Sequence, residues 1–140
     1  MIIRKLLISN RGEIASRIIR SAHDMGISCV AIYTEADTNT PYVREADQAF
    51  KLSDTYLNAK EILEIAKKND VDAIHPGYGF LSENANFANS VKKAGIKWVG
   101  PSANAIKKMG DKLTAKTLAE KVGVPTLPMG TSSKDAKNIG

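Results

Sequence analysis

The chain has 140 residues, enough for one domain with a real hydrophobic core, and its 43% hydrophobic and 25% charged content is that of an ordinary globular protein. No apolar run approaches the roughly 18 residues of a membrane span, and Met1-Ile2-Ile3-Arg4-Lys5 lacks the apolar stretch of a signal peptide, so neither a membrane nor an export route is expected. The net charge of +5 is scattered over helix faces with few aromatics beside it, which weighs against nucleic acid, and the single cysteine, Cys29, rules out an internal disulfide and fits a reducing, cytoplasmic setting.

Strand and helix signals then alternate. Lys5-Leu6-Leu7-Ile8 reads as a buried strand. Glu13 to Met25 reads as a helix with Ile14, Ile18, Ala22 and Met25 inward, closed by Gly26. Ser28 to Tyr33 is a second strand, rich in β-branched and apolar residues, and Gln48 to Leu52 a weaker third. A helix over Ala59–Lys68, with Ile62, Leu63 and Ala66 inward, leads to a strand at Asp72–His75. Asn84 to Lys93 is the next helix, ending at Gly95, followed by a strand at Lys97–Gly100. Two short helices follow at 103–109 and 112–122, with Ser102 and Asp111 as N-caps and Gly123 and Pro125 as the stop. The pairs Lys67-Lys68, Lys92-Lys93 and Lys107-Lys108 read as helix ends, where cations suit the dipole. This order implies an α/β fold with a Rossmann-like, doubly wound parallel sheet covered by helices on both faces. Thr131 to Lys137 reads as the start of another helix, at which the chain stops.

The first strand-to-helix junction, Ser9-Asn10-Arg11-Gly12-Glu13, carries one of the three glycines of a dinucleotide-binding fingerprint. Glu35 and Asp37 stand where a ribose contact would be, but without those glycines they read as loop caps. Helix one places Glu13, Arg17, Arg20 and Asp24 on one polar stripe, with i,i+4 spacing for Glu13–Arg17 and Arg20–Asp24. On spacing alone this is a solvated face.

The most informative run is His75-Pro76-Gly77-Tyr78-Gly79-Phe80-Leu81-Ser82-Glu83-Asn84. It sits between a strand and a helix, where open α/β sheets bind ligands. Gly77 and Gly79 let the backbone turn around Tyr78. The plainer reading is a turn in which Phe80 and Leu81 plug the core, His75 is a structural hydrogen-bonder, and Glu83 sits in the first turn of the next helix. Lys112, after Gly110-Asp111, opens a helix where a cation is out of place against the dipole, which suits a lysine that meets an anion. Two distant histidines and one cysteine give no expectation of a structural zinc site, and no Walker A motif is present.

This decapeptide resembles a hallmark of biotin carboxylases. Ile8-Ser9-Asn10-Arg11-Gly12-Glu13-Ile14-Ala15 and Gly100-Pro101 with Met109-Gly110-Asp111-Lys112 agree with that family in order and spacing. The resemblance extends to about Pro128. It implies a pre-ATP-grasp domain over 1–123, with 124–140 as linker and the start of an ATP-grasp region that this chain lacks. It further implies ATP and bicarbonate as reactants, Mg²⁺ or Mn²⁺ held by the missing part, and biotin on a carrier protein as acceptor. Tyr78 would face biotin, Lys112 would contact ATP, and Arg17, Arg20 and Asp24 would lie on a homodimer face. A carboxyltransferase subunit would use the product, and 140 residues alone would be inert. The alternatives are another ATP-grasp ligase and a free-standing Rossmann-like binding or regulatory module.

Overall fold

Five strands pair in parallel: β1 (Lys5–Ile8), β2 (Ser28–Tyr33), β3 (Gln48–Lys51), β4 (Ala73–His75) and β5 (Lys97–Trp98), in the spatial order β3-β2-β1-β4-β5. The computed structural model describes residues 2–110 and, beyond them, 135, 136, 138 and 139. Four helices, α1 (Gly12–Asp24), α2 (Pro41–Glu45), α3 (Ala59–Lys68) and α4 (Ala85–Lys93), connect the strands, and residues 103–110 are helical. The chain divides into a unit ending at Lys107 and a second beginning at Lys108. In the second, Asp135–Ala136 and Asn138–Ile139 are short extended segments, so the helix expected from Thr131 is not formed at those residues. The expected helix 112–122, with Asp111, Lys112, Gly123 and Pro125, lies outside the described residues.

Period-two alternation sends each strand's side chains to both faces of the sheet. Leu7, Val30, Ile32 and Ile74 meet Ile62 and Ala66 of α3 and Phe87, Ala88 and Val91 of α4. Leu6, Ile8, Cys29, Ala31 and Ala73 meet Ala15, Ile19 and Ala22 of α1, with Tyr42 of α2 beside them. On this second face β2 offers α1 Cys29 and Ala31 and β4 offers Ala73, with the larger Leu6 and Ile8 of β1 beside them.

The structure corrects the expected inward stripe of α1 in part: of Ile14, Ile18, Ala22 and Met25, Ala22 alone is buried. Ala15, Ser16, Ile19 and Ala22 are buried, Ile14 and Ile18 are only half-buried, and Met25 is 76% exposed. The apolar arc is wide, and the small side chains win the inner position because the sheet beneath offers cysteine and alanine. Gly26 does close α1: its N–H bonds the His23 carbonyl and Ile27 N–H bonds the Ala22 carbonyl, a Schellman arrangement. Gly95 closes α4 in the same way. Asp70, at φ +54, fills the corresponding place after α3. Lys67-Lys68 and Lys92-Lys93 end helices as expected, and Lys107-Lys108 fall in the last turn of the helical residues 103–110, after which the chain lies outside the described residues up to 134. The Cys29 thiol is buried, and burial followed by nearby Asp47 pushes it up to about 11, so it stays protonated.

Candidate functional site

At the carboxyl edge of the sheet, β1 and β4 end side by side. Ile8 is in register with His75, and the Ser9 amide donates to the His75 carbonyl at 2.9 Å. Beyond this pair the two chains leave for opposite faces, β1 into α1 and β4 through a loop into α4. A crevice opens at such a divergence, and α/β proteins bind ligands there.

Asn10 bridges the crevice. Its buried Nδ2 donates to the carbonyls of Pro76 (2.8 Å) and Tyr78 (2.7 Å), and its Oδ1 accepts from the Arg11 amide at 2.8 Å. Rotating the amide would strand these buried groups. Gly77, at φ +66, is demanded twice over, because a Cβ there would stand 2.6 Å from Asn10 Nδ2. Gly79, at φ +73, has open space around it and answers to the backbone alone. Between the two, Tyr78 is 63% exposed, its phenol offered to solvent.

Phe80 follows at φ +46, a left-handed value that large side chains rarely adopt, and its ring tilts against Tyr56 with centroids 5.4 Å apart. Leu81 is the residue that plugs the core; Phe80 remains partly exposed. A 3₁₀ turn over Phe80–Glu83 then leads to Asn84, whose side chain accepts from the Phe87 amide and caps α4. Glu83 therefore precedes the cap, which corrects its expected place in the first turn of the helix.

Beneath the loop lies a polar network. Arg11 donates through Nε and Nη2 to the two carboxylate oxygens of Asp37, both at 2.6 Å. The Tyr56 hydroxyl also donates to Asp37, lies 2.7 Å from the Tyr42 hydroxyl, and accepts from the Thr34 amide. Tyr42 in turn donates to the Ile32 carbonyl at 2.9 Å. The hydrogen bond from Arg11 holds the buried Asp37 carboxyl below its ordinary range, while Asp37 holds the guanidinium above its own. Burial, and then the bond to Tyr56, pushes the Tyr42 phenol up. Asp37 is thus a buried ion-pair partner, which corrects its reading as a loop cap. Glu35 pairs with Lys51.

His75 accepts the Gly77 amide on Nδ1 at 3.1 Å, which places the ring proton on Nε2. Burial lowers its pKa, so the ring is neutral near pH 7. That bond ties the ring to the entry of the glycine loop.

Asn10 to Ile14 and Tyr78 to Phe80 frame one shallow cleft of about 350 Å³. The structure therefore brings Tyr78 together with the first junction. Arg17, Arg20 and Asp24 lie elsewhere, exposed along α1. Arg20 pairs with Glu13 at 3.4 Å, and among the described residues neither Glu13–Arg17 nor Arg20–Asp24 forms an ion pair. Lys112 lies outside the described residues. Sequence reasoning missed Asn10 and the Arg11–Asp37–Tyr56 cluster. The only local signal was a polar Asn-Arg pair directly after a buried strand; nothing in the spacing joins positions 11, 37 and 56.

Residues 2–106 match the sequence model of the family described as "Biotin carboxylase, N-terminal domain". The biotin carboxylase of Halalkalibacterium halodurans is 50% identical over 130 residues, covering 89% of this chain and 29% of that protein. Biotin carboxylase 1 of Bacillus subtilis is 50% identical over 131 residues, covering 90% of this chain and 29% of that protein. Among solved structures, the biotin carboxylase domain dimer of Hydrogenobacter thermophilus 2-oxoglutarate carboxylase, in complex with ADP, its magnesium salt and bicarbonate, superposes with a TM-score of 0.79 at 41% identity, covering 98% of this chain and 32% of that one. The chain spans about three-tenths of the length of these relatives. The matched stretch takes in the whole five-stranded sheet together with both junctions of the crevice, and the chain belongs to the family of biotin carboxylase N-terminal domains.

Proposed function

We propose that this chain is the biotin-facing N-terminal part of an ATP-dependent biotin carboxylase, the enzyme of the first half-reaction of a biotin-dependent carboxylase. The complete enzyme activates bicarbonate with ATP and transfers the carboxyl group to N1 of biotin on a carrier protein, for use by a carboxyltransferase. In this reading the domain runs over 1–123, and 124–140 lead into the ATP-grasp region, which holds the Mg²⁺ or Mn²⁺ that balances phosphate charge. The setting is cytoplasmic, in keeping with the free thiol of Cys29. Among the described residues no helix is long and apolar enough to cross a membrane.

The observation that carries the reading is the presentation of Tyr78. Its phenol stands exposed beside an open cleft while the loop that bears it is fixed by buried Asn10 and by Gly77. A flat phenol of this kind can pack on the ureido ring of biotin and offer one hydrogen bond. Lys112 is assigned to ATP, as a point charge against phosphate. Arg17, Arg20 and Asp24 are assigned to a homodimer face. What supports this is their exposure along one helix, with planar guanidinium groups suited to bidentate pairing across an interface.

The test is a chimera in which residues 2–106 replace the matching part of the Halalkalibacterium halodurans enzyme. The expected result is bicarbonate- and biotin-dependent ATP turnover, with Tyr78→Ala raising the KM for biotin about tenfold while the KM for ATP is unchanged. A folded chimera that is inactive, or a Tyr78→Ala variant with unaltered biotin KM, would sink the reading. The 140-residue chain alone is expected to show no bicarbonate-dependent ATP hydrolysis.

A further inference from the structure

At the opposite edge of the sheet from Tyr78, three side chains from separate elements converge. His23 lies in the last turn of α1, Cys29 is the second residue of β2, and Asp47 immediately precedes β3. His23 Nε2 is 2.8 Å from Asp47 Oδ2, and the Cys29 backbone amide donates to that same oxygen at 2.7 Å. A ring nitrogen, the thiol sulfur and a carboxylate oxygen all lie within 4.8 Å of one another.

We propose that His23, Cys29 and Asp47 form a site for a thiophilic divalent cation, with zinc as the best match. The donor set selects the metal: a thiolate and an imidazole favour zinc over magnesium or calcium, which prefer all-oxygen shells. Zinc bonds of about 2.0–2.3 Å put tetrahedral donor atoms roughly 3.3–3.8 Å apart. Zinc here needs the 2.8 Å His–Asp pair to open by about 0.5 Å and the widest donor pair, no more than 4.8 Å apart, to close by up to about 1.5 Å. Three protein donors leave a fourth position for water.

Charge also closes. As the metal binds, the Cys29 S–H proton passes to solvent, a metal–sulfur bond forms, and His23 coordinates through the lone pair of its neutral ring. One thiolate and one carboxylate then neutralise the dication. Access is direct, because the His23 and Asp47 side chains are 39% and 48% exposed while Cys29 closes the inner side. A cation at this place also meets the negative end of α1. Its structural effect would be to clamp the end of α1 to the edge formed by β2 and β3. The site shares no residue with the Tyr78 cleft and does not depend on its function.

The test is titration of the untagged, reduced 140-residue chain with Co²⁺, followed by Zn²⁺. Cys29 is the single cysteine, so thiolate-to-cobalt charge-transfer absorption reports on that sulfur alone. The expected result is one equivalent of Co²⁺ bound with such a band, which one equivalent of Zn²⁺ abolishes. Cys29→Ser removes the band. Because Cys29→Ser alters the core, His23→Gln, at a solvent-facing position, is the second variant and should weaken Co²⁺ binding roughly tenfold or more. Absence of the band in excess Co²⁺, or a band and affinity unchanged in His23→Gln, would overturn the proposal and leave the cluster as an ion pair beside a buried thiol.

Discussion

The two faces of the sheet are finished to different degrees. On the face covered by α3 and α4, Phe87 and Trp98 meet edge to face, 5.6 Å apart at 87°, over a layer of Leu7, Val30, Ile32 and Ile74. On the other face, α1 rides on cysteine and alanine, and its flank leaves Ile3, Ile14, Ile18, Met25, Ile27 and Val99 around an open groove of about 400 Å³ that reaches His75. One face is closed by large side chains that fill space. The other is covered mainly by Ala15, Ile19 and Ala22 of α1 and leaves apolar surface at its rim in water. The lesson is that where small residues face one another across a helix–sheet contact, larger apolar residues of the same helix come to lie at its rim, as Ile14, Ile18 and Met25 do.

The strongest way to break this comparison is Phe87→Ala. Truncating a fully buried ring that packs on Trp98 should cost about 3–5 kcal/mol, read from urea unfolding midpoints. A loss below about 1 kcal/mol would mean that the closed face is not close-packed. The open face should show itself through pH. Burial depresses the pKa of His75, so the folded chain disfavours the proton that the unfolded chain accepts near its ordinary value of 6.5. Stability is then fully present above that pH and declines as pH falls through the folded value. Protonation also removes the Nδ1 acceptor of the Gly77 amide. Unfolding midpoints between about pH 7.5 and 5 should therefore slope downward, and His75→Gln should flatten the slope; an unchanged slope would remove His75 as its source. The smallest effect belongs to Met25→Gln on the open rim, where stability should shift by no more than about 0.5 kcal/mol.

The parallel sheet was legible where a short apolar strand leads to a helix with a clear stop, as from β1 to α1 and from β4 to α4. Gly26 and Gly95 marked two helix ends correctly. The strands at Lys5–Ile8 and Ser28–Tyr33 fall where their composition puts them. The short helix α2 and the 3₁₀ turns at Glu35–Asp37 and Phe80–Glu83 were not foreseen, since one or two turns carry too little periodicity to register. In α1, Ala22 faces inward as expected, but Ala15 and Ile19 take the places expected of Ile14 and Ile18, because isoleucines at 14, 18 and 19 make two apolar stripes and only the sheet decides between them. In the candidate site, the glycines announced a tight turn and Tyr78 stood out between them. Asn10 did not, because its partners are backbone carbonyls 66 and 68 residues away, and carbonyls leave no mark on the sequence. The same holds for Arg11, Asp37 and Tyr56, joined only by the way the chain folds.

The bridge made by Asn10 has a mechanical meaning. One amide grips the carbonyls of Pro76 and Tyr78 while its own backbone runs straight into Arg11 and the first turn of α1. The tyrosine loop and the approach to that helix are therefore tied by one side chain at the sheet edge, so that losing a single amide would untether both.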